Sequence, residues 1–166
     1  MTVGRLRAGR WLGASLALLI WSLGITATAP SDADQLDKLF ARSTLQIAAS
    51  DAQLHTFKIW IADNNTRRQR GLMFVKHLDP DAGMLFIYDE PQPISMWMKN
   101  TKIPLDMLFV AANGRVTRVA EHTEPESLKT IESGGDVTAV VELNAGTAAK
   151  LHIKAGSQVI HPAFTP

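Results

Sequence analysis

Residues 105–122 read LDMLFVAANGRVTRVAEH, two apolar runs separated by Asn113-Gly114. This dipeptide is typical of a type I′ turn, because both central residues of that turn need a positive φ. The pattern therefore predicts a hairpin between strands 105–110 and 116–122. It makes β-structure the starting point for the rest of the chain.

Short apolar runs on both sides of this hairpin predict further strands, at 44–48, 53–62, 84–88, 94–98, 137–143 and 157–161. Pro91 and Pro93 are expected to break the chain between two of them. Thr66-Arg67-Arg68-Gln69 has the spacing of a capping box, which predicts a short helix from Thr66 to the residue before Gly71. Further short helices are expected near 31–41 and 147–151. We predict a mostly β (α+β) fold, a compact antiparallel barrel-like or sandwich domain with two or three short helices.

The N-terminus has the pattern of a targeting segment. Arg5, Arg7 and Arg10 precede an apolar stretch at 11–25. That stretch is shorter than the about 20 residues a spanning helix needs. We predict an exported protein, periplasmic or otherwise extracytoplasmic, with an uncleaved membrane anchor at 11–27 as the alternative. The predicted organisation is a signal peptide or anchor at 1–29, a leader at 30–52 and a β-rich domain at 53–162.

The absence of cysteine and the near-neutral charge limit the linkages and binding partners that the chain can have. The chain has no cysteine, so neither a disulfide nor an N-terminal lipid on cysteine is available. Of its 17 basic residues, three lie in the predicted signal, leaving 14 against 16 acidic residues in the mature part, a net charge of −2. This near-neutral balance gives no reason to expect nucleic-acid binding. We expect one domain, a monomer, that meets a membrane only through its N-terminal segment.

The segment 97–106 places polar side chains inside apolar strands. Burying such groups is costly unless they are paired. We interpret Asp106 as a buried ion pair or turn cap with Arg70 or Lys99 as partner, or alternatively as a carboxylate that binds a ligand. Lys99 and Asn100 form either a polar turn or the rim of a pocket floored by Trp97.

Two further polar residues follow in the predicted 137–143 strand and just after it. Glu142 is expected to form a cross-strand ion pair, or else to join Asp106 as two carboxylates for acid–base chemistry. Asn144 suits a helix N-cap better than a ligand contact. Both residues are kept as candidates for a binding site.

The methionines raise the question of copper, since thioethers bind Cu(I) in exported proteins. Met96 and Met98 would project from one strand face, yet core packing is the simpler interpretation of both and of Met73. The five histidines are scattered without zinc-like spacing. We therefore expect no metal and no cofactor.

Five ordered segments carry a family resemblance: residues 70–73 (RGLM), 83–86 (GMLF), 97–101 (WMKNT), 103–109 (IPLDMLF) and 141–146 (VELNAG). Together they resemble the uncharacterised family called domain of unknown function 192, over about residues 53–162. The resemblance implies a small, barrel-like, often exported β-domain with no assigned reaction. Some members carry cysteines where this chain has Glu126 and Ser127, so a metal or redox role based on them is not implied here.

No nucleophile elbow, phosphate-binding glycine loop or cysteine nucleophile is present in the sequence. The leading hypothesis is a non-catalytic binding module for a small polar ligand or an envelope partner. Its candidate site residues are Arg70, Met73, Trp97, Lys99, Asn100, Asp106, Glu142 and Asn144. The alternatives are a carboxylate-dependent hydrolase or lyase, and a purely structural envelope protein.

Overall fold

The structure, a computed structural model, describes residues 1–2 and 31–164. Apart from its first two residues, the predicted signal or anchor segment lies outside the described residues. Within the described part, no helix combines the length and apolar character needed to cross a bilayer.

Seven strands form one sheet that nearly closes into a barrel. They are β1 (Ala41–Ala48), β2 (Leu54–Ala62), β3 (Ala82–Met96), β4 (Leu105–Val110), β5 (Val116–Ala120), β6 (Ile131–Asn144) and β7 (Gln158–Ile160). The order across the sheet is β5-β4-β6-β3-β2-β1-β7. A single bridge between Arg115 and Gln158 brings the two edges together. The predicted β-rich, barrel-like fold is therefore confirmed.

Neighbouring strands are antiparallel, with the exception of β2 and β3, which run parallel. The connection between these two contains helix α2 (Asn65–Arg70) and a long loop. Two other helices are short: α1 (Asp32–Leu39) and α3 (Thr147–Lys150), and a 3₁₀ turn follows at Pro162–Phe164. The predicted helix start at Thr66 is wrong by one residue, because Asn64 is the N-cap and accepts from the Arg67 N–H at 2.9 Å.

The sheet is apolar on both faces, which gives two cores. The inner core contains residues from all seven strands, such as Ile59, Leu108 and Val141. The outer core lies between the other face of the sheet and a cover made of α1 and residues 71–78. Strands β4 and β6 thus alternate between two buried environments.

Helix α1 and strand β1, within the predicted leader, pack into this same fold. Ser31 and Asp34 form a capping box that starts the helix. Leu36 is 1% exposed in the outer core, and Asp37 accepts a 2.8 Å hydrogen bond from Trp60 Nε1. The helix is therefore fixed on the sheet rather than loosely attached.

Two strand predictions around the prolines are wrong. The chain does not break at Pro91 and Pro93, since β3 runs through them as one strand. Its pairing with β6 shifts register between Ile87 and Gln92, so irregular pairing accommodates residues that cannot donate to a ladder. The second half of β3 in turn pairs with residues 131–137, and β6 begins at Ile131 rather than Val137.

The 105–122 hairpin is confirmed as β4 and β5, with a different turn from the one predicted. Only Gly114 has positive φ, at 78°, among residues 111–115. Its N–H donates to the Ala111 carbonyl at 2.8 Å. The turn is therefore not type I′, and a register shift at Val110 accommodates it.

Candidate functional site

A cavity of about 220 Å³ lies where α2 and the turn after it meet the outer face of β3 and β6. Four of the five segments that carry the family resemblance contribute to its wall. The lining residues are Asn65, Arg68, Gln69, Arg70, Gly71, Leu72, Met73, Phe86, Tyr88, Ser95, Met96, Trp97, Thr101 and Glu142.

Glu142 is the most unusual group in this wall. It lies in the middle of β6, paired with Met84 of β3 on one side and Met107 of β4 on the other. Its side chain points to the outer face and is 4% exposed. Within the described residues, neither a hydrogen bond nor an ion pair reaches its carboxyl group. Burial alone raises the pKa of Glu142 from 4.5 to about 8.

Such a group needs an explanation, because a buried carboxyl group without a partner is costly in either protonation state. The expected cross-strand ion pair of Glu142 is wrong, since its neighbours on both strands are methionines. Perturbed carboxyl groups that face a cavity are candidates for binding or proton transfer.

Arg70 enters the wall from the last turn of α2. Its Nη1 donates to the carbonyls of Met73 and Gly71, and its guanidinium lies 5.1 Å from the centre of the Phe74 ring. No carboxylate pairs with it in the described part of the chain. Partial burial lowers the pKa of Arg70, although the group stays charged.

Gly71 makes the turn that positions Arg70. It caps α2 with a φ of 43°, a conformation that L side chains rarely adopt. A Cβ at this position would lie 3.1 Å from Phe86 Cζ. The glycine therefore permits both the reversal of the chain and its close approach to the sheet.

Arg68 and Tyr88 also line the cavity. The Arg68 guanidinium lies 4.9 Å from the centre of the Tyr88 ring and donates to Ile87 O and Asn65 Oδ1, both at 2.6 Å. Tyr88 Oη donates to Met96 Sδ at 3.9 Å, and burial raises the pKa of Tyr88. These contacts hold both side chains in place.

Trp97 stands at the mouth of the cavity with 53% of its surface exposed. Lys99 Nζ lies 5.4 Å from the Trp97 ring centre, on the solvent side. Asn100, at φ 57°, accepts from the Phe74 N–H at 2.9 Å and donates to Met73 Sδ at 3.8 Å. Lys99 and Asn100 therefore do not line the cavity themselves but support the residues that do.

Asp106 lies elsewhere, and its predicted pairing with Arg70 or Lys99 is wrong. It is fully buried and accepts from the backbone N–H groups of His122 at 2.9 Å and Ala148 at 2.8 Å. These bonds join the end of the β4–β5 hairpin to α3. Asp106 is thus a cap for two backbone segments.

The two carboxylates proposed as an acid–base pair point to opposite faces of the sheet. Asp106 pairs in register with Leu143 of the inner core, whereas Glu142 pairs with Met107 of the outer core. Because side chains alternate along a strand, the sheet itself separates them. The dyad is therefore excluded by geometry.

Asn144 is also outside this cavity. Gly146, not Asn144, is the N-cap of α3. The Asn144 amide instead donates to the carbonyls of Leu78 and Asp79, both at 3.0 Å. It fixes the loop before β3 against the end of β6.

The sulfur atoms of Met96 and Met98 each accept a hydrogen bond from a hydroxyl group. Met96 ends β3 and contacts the Tyr88 hydroxyl, whereas Met98 is fully buried and accepts from Thr123 Oγ1 at 3.2 Å. Among the described residues, no group of three or more histidine, aspartate or glutamate side chains could hold a metal ion.

Of the candidate residues, the structure brings together Arg70, Met73, Trp97 and Glu142 around one cavity. Arg68 and Tyr88, which sequence reasoning missed, complete it. Their meeting depends on how α2 docks on the sheet, which no local spacing encodes. The one available signal was Tyr88 itself, the only tyrosine of the chain, at the end of the otherwise apolar run 84–88.

Comparison with known proteins gives the family. Residues 46–161 match the family model DUF192, described as "Uncharacterized ACR". The chain belongs to the DUF192 family. Its match begins inside β1, so the family region includes nearly the whole sheet.

Two solved structures resemble this DUF192 protein. One, from Sinorhizobium meliloti 1021 and provisionally described as a transcription regulator, is 35% identical with a TM-score of 0.73, over 75% of this chain and 96% of that one. The other, a protein of unknown function from Novosphingobium aromaticivorans DSM 12444, is 32% identical with a TM-score of 0.70, over 72% and 85% of the two chains. Among curated proteins, none matches.

Proposed function

We propose that this DUF192 protein is a binding module for a small polar molecule, which enters the cavity beside Trp97 and contacts Glu142. The observation that carries the proposal is the buried Glu142 carboxyl group, which has no partner in the described chain and faces a cavity. A ligand that donates to this group would satisfy it.

The remaining wall supports a ligand of mixed character. Tyr88 and Thr101 offer hydroxyl groups, while Phe86 and Leu72 offer apolar surface. Small-molecule sites combine such apolar walls with a few fixed polar groups. Trp97 adds an exposed ring at the mouth, on which a ligand could stack.

The test is a thermal-shift screen of the full-length protein against small amines, sugars, carboxylic acids and amino acids. At least one compound should raise the melting temperature of the wild type and fail to raise that of Glu142→Gln. The matched control is Glu90→Gln, which removes an exposed carboxylate from β3, the strand that pairs with β6. The proposal is contradicted if every compound affects wild type and Glu142→Gln equally.

A second candidate is an enzyme in which Glu142 acts alone as general acid or base. The specific observation in its favour is the pKa of about 8, which suits proton transfer near neutral pH. Asp106, the second carboxylate of the predicted hydrolase or lyase, lies on the other face of the sheet and takes no part in this candidate. Conversion of a bound compound, followed by NMR and lost in Glu142→Gln, would favour catalysis; unchanged bound compound would favour binding.

We further propose that the domain acts outside the cytoplasm, as a monomer and without nucleic acid. The support is the targeting pattern at 1–29, and the near-neutral charge of the remainder. The regulator role given to the Sinorhizobium protein is therefore not extended to this chain. Cell fractionation with N-terminal sequencing of the recovered protein tests the export: an intact N-terminus in the soluble cytoplasmic fraction would contradict it.

A further inference from the structure

Two groups that can carry opposite charges border the same cavity, and neither has a charged partner in the part of the chain that the structure describes. Glu142 is buried on the sheet, and Arg70 lies half-buried at the end of α2. Each lacks a charged partner within the described residues, and they do not bond to each other. Burial favours the neutral form of the Glu142 carboxyl, and a cationic ligand beside it would stabilise the ionised form. The Arg70 guanidinium stays charged, so an anionic ligand group would supply the counterion that it lacks.

Arg70, rather than Arg68, has bonding capacity left for a ligand. The Arg68 guanidinium is already held by Ile87 O, by Asn65 and by the Tyr88 ring. Arg70 donates through Nη1 only, so its Nε and Nη2 have no acceptor among the residues that the structure describes. A guanidinium with two free donors is well suited to a carboxylate.

Resting on the proposed function, we propose that the ligand is a small zwitterion. Its ammonium group donates to Glu142, and its carboxylate accepts from Arg70. The same cavity wall includes the apolar side chains of Met73, Phe86 and Met96, which suit a short hydrocarbon segment. The ligand class is thus an amino acid or a similar molecule with charges at both ends.

A ligand is preferred when it pairs with both Glu142 and Arg70. A simple amine would satisfy Glu142 and leave Arg70 unpaired, and a simple carboxylate would do the opposite. A neutral polyol would leave the Arg70 guanidinium without a counterion and would not stabilise the ionised form of Glu142. Because leaving a polar group of the site unpaired weakens binding strongly, the zwitterion should be preferred over each fragment.

The experiment is isothermal titration calorimetry of the full-length protein with ω-amino acids from glycine to 6-aminohexanoate. For each length, the matching alkylamine, alkyl carboxylate and diol are titrated as well. The series is needed to find the span between the two groups. At least one zwitterion should bind ten times or more tightly than all three of its matched compounds.

Variants assign the two ends. In Glu142→Gln, the zwitterion should no longer bind more tightly than the alkyl carboxylate, which lacks the ammonium group. In Arg70→Gln, it should no longer bind more tightly than the alkylamine, which lacks the carboxylate. Arg70→Lys, which keeps the charge but not the planar fork, gives a second variant should Arg70→Gln fail to fold. Glu90→Gln and Arg115→Gln, at exposed positions, should leave the preference unchanged.

The outcomes separate this inference from the function on which it rests. If an amine or a diol binds as tightly as its zwitterion and Glu142→Gln abolishes that binding, the zwitterion is wrong and the binding module stands. Binding of a zwitterion that survives both Glu142→Gln and Arg70→Gln overturns the inference as well. If no compound binds and the thermal-shift screen finds none specific to Glu142, both proposals fall.

Discussion

Replacing Glu142 with glutamine should remove a pH-dependent cost of folding. In the wild type the folded-state pKa is about 8, against 4.5 for an ordinary glutamate. A folded pKa above the unfolded value means that the unfolded state releases its proton first. The carboxyl group therefore weakens the fold progressively as pH rises from about 4.5 to about 8.

The size of the effect follows from the difference between the two pKa values. One pKa unit corresponds to about 1.4 kcal/mol, so the full loss between pH 4 and pH 9 is about 5 kcal/mol. At pH 7 most of it, about 3 kcal/mol, has already occurred. Glutamine cannot ionise, so the variant should lack this term.

The assay is urea unfolding of full-length wild type and Glu142→Gln at pH 5, 7 and 9. Other groups titrate in both proteins, including His161, whose pKa is lowered by burial, and Tyr88. The difference between the two proteins isolates Glu142. The free energy of unfolding of the variant, relative to that of the wild type, should increase by several kcal/mol between pH 5 and pH 9.

A pH-independent difference between wild type and Glu142→Gln would refute the reasoning. It would mean that the carboxyl group reaches solvent or finds a partner on ionisation. Glu90→Gln is the control, since an exposed carboxylate should give the same stability profile as the wild type.

Three other changes test the fold that positions the site. Asp106→Ala should lower the free energy of unfolding by about 3 kcal/mol, because it leaves the His122 and Ala148 N–H groups without an acceptor. Urea unfolding measures this loss beside that of Asp89→Ala, at an exposed position. Equal losses for the two variants would contradict the prediction. Gly83→Ala should destabilise the protein by about 2 kcal/mol, because its Cβ would lie 2.5 Å from the backbone carbonyl oxygen of Glu142. The control is Gly135→Ala, whose Cβ would meet nothing within 4 Å. Equal melting temperatures of the two variants would show that β3 and β6 move apart to accept the extra methyl group. Trp60→Phe should lower the free energy of unfolding by about 1 kcal/mol, because it removes the hydrogen bond to Asp37. Trp97→Phe should leave the stability unchanged, because the Trp97 ring is exposed. A larger fall in melting temperature for Trp97→Phe than for Trp60→Phe would place the Trp97 ring in the core.

The fold was predictable where the pattern is local. Asn113-Gly114 between two apolar runs predicted the β4–β5 hairpin, and alternation predicted β2 over its full length. The break predicted at Pro91 and Pro93 is wrong because the cost of a proline in a strand depends on how that strand pairs with its neighbour. Here β3 continues through both prolines, since its register against β6 shifts at this point. That partner lies some 40 residues away in sequence, so local rules could not include it.

The site was predictable in part, for a related reason. Arg70, Trp97 and Glu142 were candidates because polar groups among apolar ones need a role. Which of them meet depends on the face each strand presents, and the β4–β6 register puts Asp106 and Glu142 on opposite faces. Sequence alternation alone does not say which face receives α2, and so it could not identify the cavity.

An NMR titration of the Glu142 side-chain carboxyl carbon in the full-length protein, assigned with Glu142→Gln, tests the role of this group without intermediate assumptions. We expect a pKa near 8 in the free protein, and a fall in that pKa when an ammonium-bearing compound from the screen is added. The carboxyl signal of Glu90, which is exposed and does not line the cavity, should not change when the compound is added. A Glu142 pKa near 4.5 that no compound changes would contradict the proposed binding role.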